Sequence, residues 1–332
     1  MNDFDYKGFS AECLQRICDL KFAVLPICSS PVSCTDLYSQ AKIFREYASF
    51  PEWLPLQVVS DHGVGDEIAR LHELENSAQC MFSFSDKKLL DYKDKSIKPC
   101  YKVPHPFIWY RRQRGITQAP DAMGTLAFVA HSTPWTDCGF NVDEYIDMLL
   151  ALPEHMYPIC ACIYATDVQK GLHKHFLRRG IPVYSAGCQY DERFVERYYT
   201  ILRRFKYTTS NEPSGSYAYY SAEMGIPFSG YGPHVKYYNH SERGTPLGEM
   251  PVCIKEAGRV FSGLFDSITK DQKDLIDRTF DFSNVISPKE MRKILFSAFI
   301  EGRNKGKVIR RGIRKKIKRI INELFCPRGL FE

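Results

Sequence analysis

Apolar and polar positions along this chain fall into two periods, and the switching between them lays out a repeated strand-then-helix order. Residues 20–30 and 56–60 are apolar runs short enough to be strands, as is 80–84. Residues 34–49 place Leu37, Ala41, Phe44 and Tyr47 on one helical face, and 86–95 form a charged helix. Residues 100–103 lead into Pro104-His105-Pro106, where two prolines restrict the backbone around one imidazole, and 107–114 open another helix.

The polar, Pro-bearing and Gly-ended stretch 118–124 then predicts a hinge, after which the order resumes. Strands are expected at 125–130, 159–165, 181–185 and 207–211, and helices at 142–152, 168–179 and 191–205. Such alternation predicts parallel, doubly wound sheets, so the fold class is α/β with two domains and a cleft. The expected bounds are 1–120, 121–285 and a set of C-terminal helices over 286–332. Within the last, Ser287 is a ready cap for a helix over 288–300 that can fold back on the first domain.

The stretch 207–233 is the densest in signals. A β-rich run gives way to Glu212-Pro213-Ser214-Gly215-Ser216, then a helix to Met224, a glycine stop at Gly225 and Pro227 before the next strand. A helix opening on Ser214, Gly215 and Ser216 offers unpaired N–H groups, hydroxyls and a positive dipole end, which suits a phosphate; an ordinary serine-capped connection has the same residues.

Composition narrows the class. At 332 residues, 44% hydrophobic and 25% charged, the chain is a folded protein with room for two cores. Its 12 cysteines have no zinc or disulfide spacing, so reduced cytoplasmic thiols are expected. The first residues are acidic and carry no apolar core, so no signal peptide is expected, and no run of ~18 apolar residues predicts a membrane span. The net charge of +6 is a tail property: residues 301–332 hold 11 Lys or Arg against three Glu, +8 there and −2 over the remainder. Residues 303–325 are expected to form a basic amphipathic helix, with Ile309, Ile313, Ile317, Ile320, Ile321 and Leu324 on its apolar stripe. It reads as docking on an anionic membrane surface, the inner face of the cytoplasmic membrane, and not as a nucleic-acid module.

In doubly wound sheets ligands bind beyond the carboxyl ends of the strands. Asp61-His62-Gly63, His105, His131-Ser132-Thr133 and Ser214-Gly215-Ser216 all follow expected strands. A carboxylate and imidazoles in such positions supply what glycosyl transfer needs: a base for the acceptor hydroxyl and hydrogen-bonding groups for the leaving phosphate. Lys170, His173, Lys174 and His175 are expected to form a solvated helix face, and neither their spacing nor an Asp-x-Asp motif calls for a metal.

These motifs resemble those of GT-B glycosyltransferases of bacterial surface polysaccharides, in particular the sialyltransferases and Kdo transferases that use CMP-activated sugars. The resemblance covers roughly residues 56–233 and implies two Rossmann-like domains facing a cleft. It implies Asp61, or His62 beside it, as base, and His105 of the His-Pro pair on the donor phosphate, with His131 as a rival for that role. Ser214 and Ser216 would stand for the family's serine pair, here split by Gly215, and His62 stands where the family has Asp or Glu. Gly215, Ala222, Gly225 and Pro227 also fit a broader GT-B donor motif, with Tyr220 at its usual Glu position. The implied donor-binding set is His131, Ser132, Thr133, Glu212, Ser214, Gly215, Ser216 and Tyr220. A nucleotide sugar and a glycan or lipid-linked acceptor are the implied partners, without metal or other cofactor. A nucleotide-sugar epimerase would share the fold and the phosphate seat without needing the basic tail, and a non-catalytic scaffold would bind no nucleotide.

Overall fold

The computed structural model describes residues 5–61, 63–64, 68–133, 136–239 and 252–304. Its strands are β1 (Val58–Ser60), β2 (Cys80–Ser83), β3 (Cys100–Lys102), β4 (Thr125–Phe128), β5 (Thr136–Gly139), β6 (Ile159–Cys162), β7 (Val183–Tyr184), β8 (Tyr207–Ser210), β9 (Phe228–Gly230) and β10 (Lys236–Asn239). The helices in the first half are α1 (Ala11–Cys18), α2 (Gln40–Ala48), α3 (Leu71–Leu74), α4 (Asp86–Lys95), α5 (Pro106–Gln113) and α6 (Val142–Leu150). They continue with α7 (Ala165–Gln169), α8 (His173–Arg178), α9 (Phe194–Leu202), α10 (Ser216–Glu223), α11 (Val252–Phe261), α12 (Lys270–Thr279) and α13 (Pro288–Asn304). The result is mixed α/β with parallel sheets, in two compact units.

The smaller unit comprises residues 25–62, 67–106 and 282–332. Its sheet is parallel in the order β1-β2-β3, with Val59 opposite Met81 and Phe82 opposite Tyr101. Side chains alternate faces along a strand, and here both faces are buried, as parallel sheets require. Val58 and Phe82 join Phe44, Met291 and Leu295 in one cluster, while Val59 and Met81 join Tyr92 and Cys100 in another. α13 thus completes the first of these cores, so 288–304 belongs with the smaller unit and is not a separate C-terminal element. Its start is the expected Ser287: the hydroxyl accepts Glu290 N–H at 3.3 Å, and the Glu290 carboxylate accepts Ser287 N–H at 2.8 Å. The basic segment 305–325 lies outside the described residues.

The larger unit comprises residues 1–24, 63–66 and 107–281. Its sheet is parallel in the order β7-β6-β4-β8-β9. By sequence this is third, second, first, fourth, fifth, so the winding reverses between β4 and β8. Tyr145, Ile146 and Leu149 of α6, Val168 of α7 and Phe176 of α8 bury against Ala127, Ile159, Ala161 and Val183. The boundary differs from the expected hinge at 118–124 because residues after Pro106 are tied into this unit. The Phe107 ring lies among Tyr198, Tyr199 and Tyr220, Tyr199 Oη donates to Phe107 O at 3.2 Å, and Ala119 N–H donates to Arg203 O at 2.8 Å. Residues 5–24 join it through the β7 edge, where Phe9 N–H donates to Val183 O at 2.8 Å. Gly8, at φ 75°, allows that approach, since a Cβ would overlap the Val183 backbone.

Residues 20–30 do not form the expected buried strand. They make a single turn at Leu20–Phe22, with Leu20, Phe22, Val24 and Leu25 exposed, and Pro26 ends the run. Ser33–Ser39 is a separate 3-10 segment, kinked from α2 by positive φ at Tyr38 and Ser39. An antiparallel ribbon, β5 against β10, was not legible in the pattern because both strands are only half buried.

If α13 is core, Leu295→Ala should lower unfolding stability by about 2–5 kcal/mol, the range for a buried leucine truncation, measured by urea denaturation. A change within ~0.5 kcal/mol, as at surface positions, would place the helix outside the core.

Candidate functional site

At the carboxyl end of the larger sheet, the chain leaves β4 toward β6 and leaves β8 toward β9, on opposite sides. Loops at such a reversal diverge and leave room between them. The loop after β4 carries His131, Ser132 and Thr133; the loop after β8 carries Asn211, Glu212, Ser214 and Gly215. Ala130 N–H donates to Asn211 Oδ1 at 2.9 Å and ties the two loops together. The other end of that amide, Asn211 Nδ2, is buried and has no hydrogen-bond partner among the described residues. A buried unmet donor is costly, roughly 1–3 kcal/mol, and this one stands at the reversal.

The His131 ring packs on Tyr164 with centroids 4.6 Å apart. Burial pushes it down to about 4, against the Glu212 carboxylate, which pulls it up. At neutral pH it is a hydrogen-bonding imidazole and not a cation. Ser132 is used by its own neighbourhood: its N–H donates to Asp167 Oδ2 at 3.0 Å and its Oγ accepts Cys138 N–H at 3.3 Å. Thr133 closes the turn into β5, its Oγ1 accepting Thr136 N–H at 3.1 Å and its N–H donating to Thr136 O at 2.8 Å.

Around the start of α10 the expected residues take different roles. Glu212 accepts Ser214 N–H at 3.0 Å and the Ser214 hydroxyl, and its Oε2 accepts from Tyr237 Oη at 3.0 Å. Ser216 Oγ accepts Val64 N–H at 3.2 Å. Gly215 is open for another reason than anion approach: the Tyr217 ring lies across it and a Cβ would overlap that ring. Tyr217 Oη in turn donates to Glu212 O at 3.0 Å and accepts from Ser210 Oγ at 2.9 Å. Tyr220 is a core residue, stacked on Phe107 at 4.5 Å and 11°, so it does not face a nucleotide ribose.

Beside the β4 loop lies a hollow of about 300 Å³, in the range of small-molecule sites. Ser132, Cys138, Asp167, Lys170 and His175 are among its lining residues. Asp167, in α7 just past β6, is 5% exposed, and burial raises its carboxyl above the usual range, with the Ser132 hydrogen bonds opposing. Asp167, Cys138 and Asn211 were not singled out from the sequence. The rule that selected His131, a polar residue just beyond an expected strand end, applies equally to Asp167, whereas Asn211 was counted as the last residue of the expected strand 207–211 and β8 ends at Ser210. The expected solvated face holds for Lys170, Lys174 and His175, of which Lys170 and His175 also line the hollow, while His173 is buried.

Asp61, at the end of β1 in the smaller unit, is enclosed. Its carboxylate pairs with Lys88 Nζ, and its Oδ2 accepts Ser83 Oγ–H and Phe84 N–H, both at 3.2 Å. Lys88 Nζ also lies 2.8 Å from Glu73 Oε1, and all three side chains are buried. Burial raises the Asp61 carboxyl above the usual range, with Lys88 opposing and Glu73 adding to the rise. Neither oxygen is presented to an acceptor hydroxyl; the cluster joins β1, β2, α3 and α4. His105 is likewise buried, its ring 4.6 Å from that of Phe84. His62 lies outside the described residues. No group of three His, Cys, Asp or Glu among the described residues is arranged to hold a metal ion, and no described helix is long and apolar enough to cross a membrane.

No protein-family model and no curated protein matches the sequence. Among solved structures the chain is similar to one described as "Glycosylation Associate Protein (Gap123) complex from Streptococcus agalactiae", at 12% identity and a TM-score of 0.29. The alignment covers 74% of this chain and 45% of that one, so this chain spans less than half of its length.

Two outcomes are expected. Lys88→Met leaves two buried carboxyls without a cation and should cost about 3–5 kcal/mol in urea denaturation; an effect below ~1 kcal/mol would mean the cluster is not buried. The His131 ring protons should titrate near pH 4 by NMR. Because the folded value is below the unfolded one of roughly 6.5, the stability tied to His131 is full above that value and is lost as pH falls toward 4. An ordinary midpoint near 6.5 would show the ring to be solvated.

Proposed function

We propose that this protein is a glycosyltransferase which takes a sugar from a nucleotide donor, seated at the carboxyl edge of the larger unit's sheet, and passes it to a glycan or lipid-linked acceptor. One observation carries the reading: the strand order reverses between β4 and β8, and His131, Asn211 and Glu212 flank that reversal with a buried, unmet amide donor among them. In parallel α/β sheets this is where nucleotides bind. A neutral imidazole and an amide N–H supply hydrogen bonds where the leaving phosphate gathers charge, and binding there favours the protonated form of His131. The start of α10 adds its dipole.

The presence of a second parallel α/β unit supports a GT-B type of enzyme, in which two Rossmann-like units serve donor and acceptor. The basic stripe read from residues 303–325 supports an acceptor at an anionic membrane surface on the cytoplasmic side. In this reading Asp61 serves the fold of the smaller unit, and donor binding is assigned to the residues at the reversal.

Thermal shift with CMP, CDP, UDP and GDP tests this. At 100 times Kd a nucleotide should add about 2.7 kcal/mol of stability and raise Tm, and His131→Ala should weaken the tightest one about tenfold. If none of the four moves Tm, the reading falls.

A further inference from the structure

Beyond the phosphate, the hollow beside β4 has its own chemistry. Its polar lining is acidic on balance: Asp167, buried and accepting Ser132 N–H, and Asp137, against Lys170 alone as a fixed cation. Lys170 Nζ is already 2.7 Å from Asp137 Oδ1, so its charge is met within the wall. Gly139, Gly171 and Cys138 leave the remaining wall small, and Phe140, Val142 and Leu172 give it an apolar side. A cavity of this make-up, with one carboxylate held by the Ser132 N–H, the other by the Lys170 ammonium, and an apolar flank, is suited to hydroxyl groups carried on a carbon ring. A carboxylate placed there would stand beside Asp167 and Asp137 without a free cation, and like charge at close range in a partly desolvated site is strongly disfavoured.

We propose that the hollow receives an uncharged, diol-bearing ring, from the transferred sugar or from the nucleotide ribose, with Asp167 and Asp137 accepting from its hydroxyls and turning carboxylated sugars away. The identity of the ligand as part of a nucleotide sugar rests on the function proposed above. The consequence departs from what the sequence resemblance implied, because sialic acid and Kdo both carry a carboxylate.

The test uses the full chain and amide NMR of Cys138, Gly139 and Gly171, titrated with methyl glucoside, glucuronate, uridine and inorganic phosphate. Methyl glucoside or uridine should shift these signals, whichever binds more tightly naming the source of the diol, and glucuronate should bind at least tenfold more weakly than methyl glucoside or uridine. Asp167→Asn keeps an oxygen for Ser132 N–H, so the fold is retained, and should narrow that ratio to within about threefold. Asp137→Asn, at a half-buried position, should narrow it in the same direction. Equal binding of glucuronate in the unaltered protein would overturn the proposal, as would shifts from phosphate alone or from none of the four. A nucleotide-dependent rise in Tm together with silent hollow signals would sink this inference and leave the function standing; shifts from methyl glucoside with no nucleotide response would do the reverse.

Discussion

β4 pairs with β6 on one side and β8 on the other, with Thr125 opposite both Ile159 and Tyr207. From that double pairing the rest of the larger unit follows. A parallel neighbour can be reached only by a crossover connection, so α6 and α7 to α9 must lie on the sheet faces, and the crossovers on the two sides of β4 leave in opposite directions. The loops at its carboxyl end therefore run on in opposite directions after they meet through Ala130 N–H and Asn211 Oδ1, and a small set of polar side chains is left at that point.

Charge is handled in the two units by the same device. Asp61, Lys88 and Glu73 bury together in the smaller one; in the larger, Glu223 takes both Arg111 and Arg112, and Asp191 takes Arg193 and Arg197. In the larger unit the carboxylates are buried while Arg112 and Arg193 stay half exposed; a fully buried cluster such as that of Lys88 contributes little net stability, because desolvation offsets most of the attraction, but losing one partner is expensive. Each therefore discriminates against any packing that separates its members. The Glu223 cluster sits one turn beyond Tyr220, which explains how a helix with the spacing of a donor motif can turn its Glu-equivalent position into the aromatic core.

Most regular elements could be read in advance. β2, β4 and β8 fall where short apolar runs are bounded by polar residues, and α10 ends at Gly225 as its residues direct. The cap at Ser287 likewise needs only local chemistry. Two elements went unread. Residues 20–25 have the apolar content of a strand and lie exposed, and β5 and β10 have little apolar content yet pair, since pairing depends on a partner about a hundred residues away.

The sequence by itself determined the α/β class, the succession of strands and helices, the caps, and the placing of polar residues just past strand ends, because each of these depends on neighbours within a few positions. Tertiary structure alone decided the strand order, the meeting of the β4 and β8 loops, the enclosure of Asp61 by Lys88 and the filling of the space over Gly215 by Tyr217. Those outcomes turn on burial and on contacts between distant residues, which set whether a carboxylate is a base or half of an ion pair, and whether a glycine admits a ligand or a ring of its own chain.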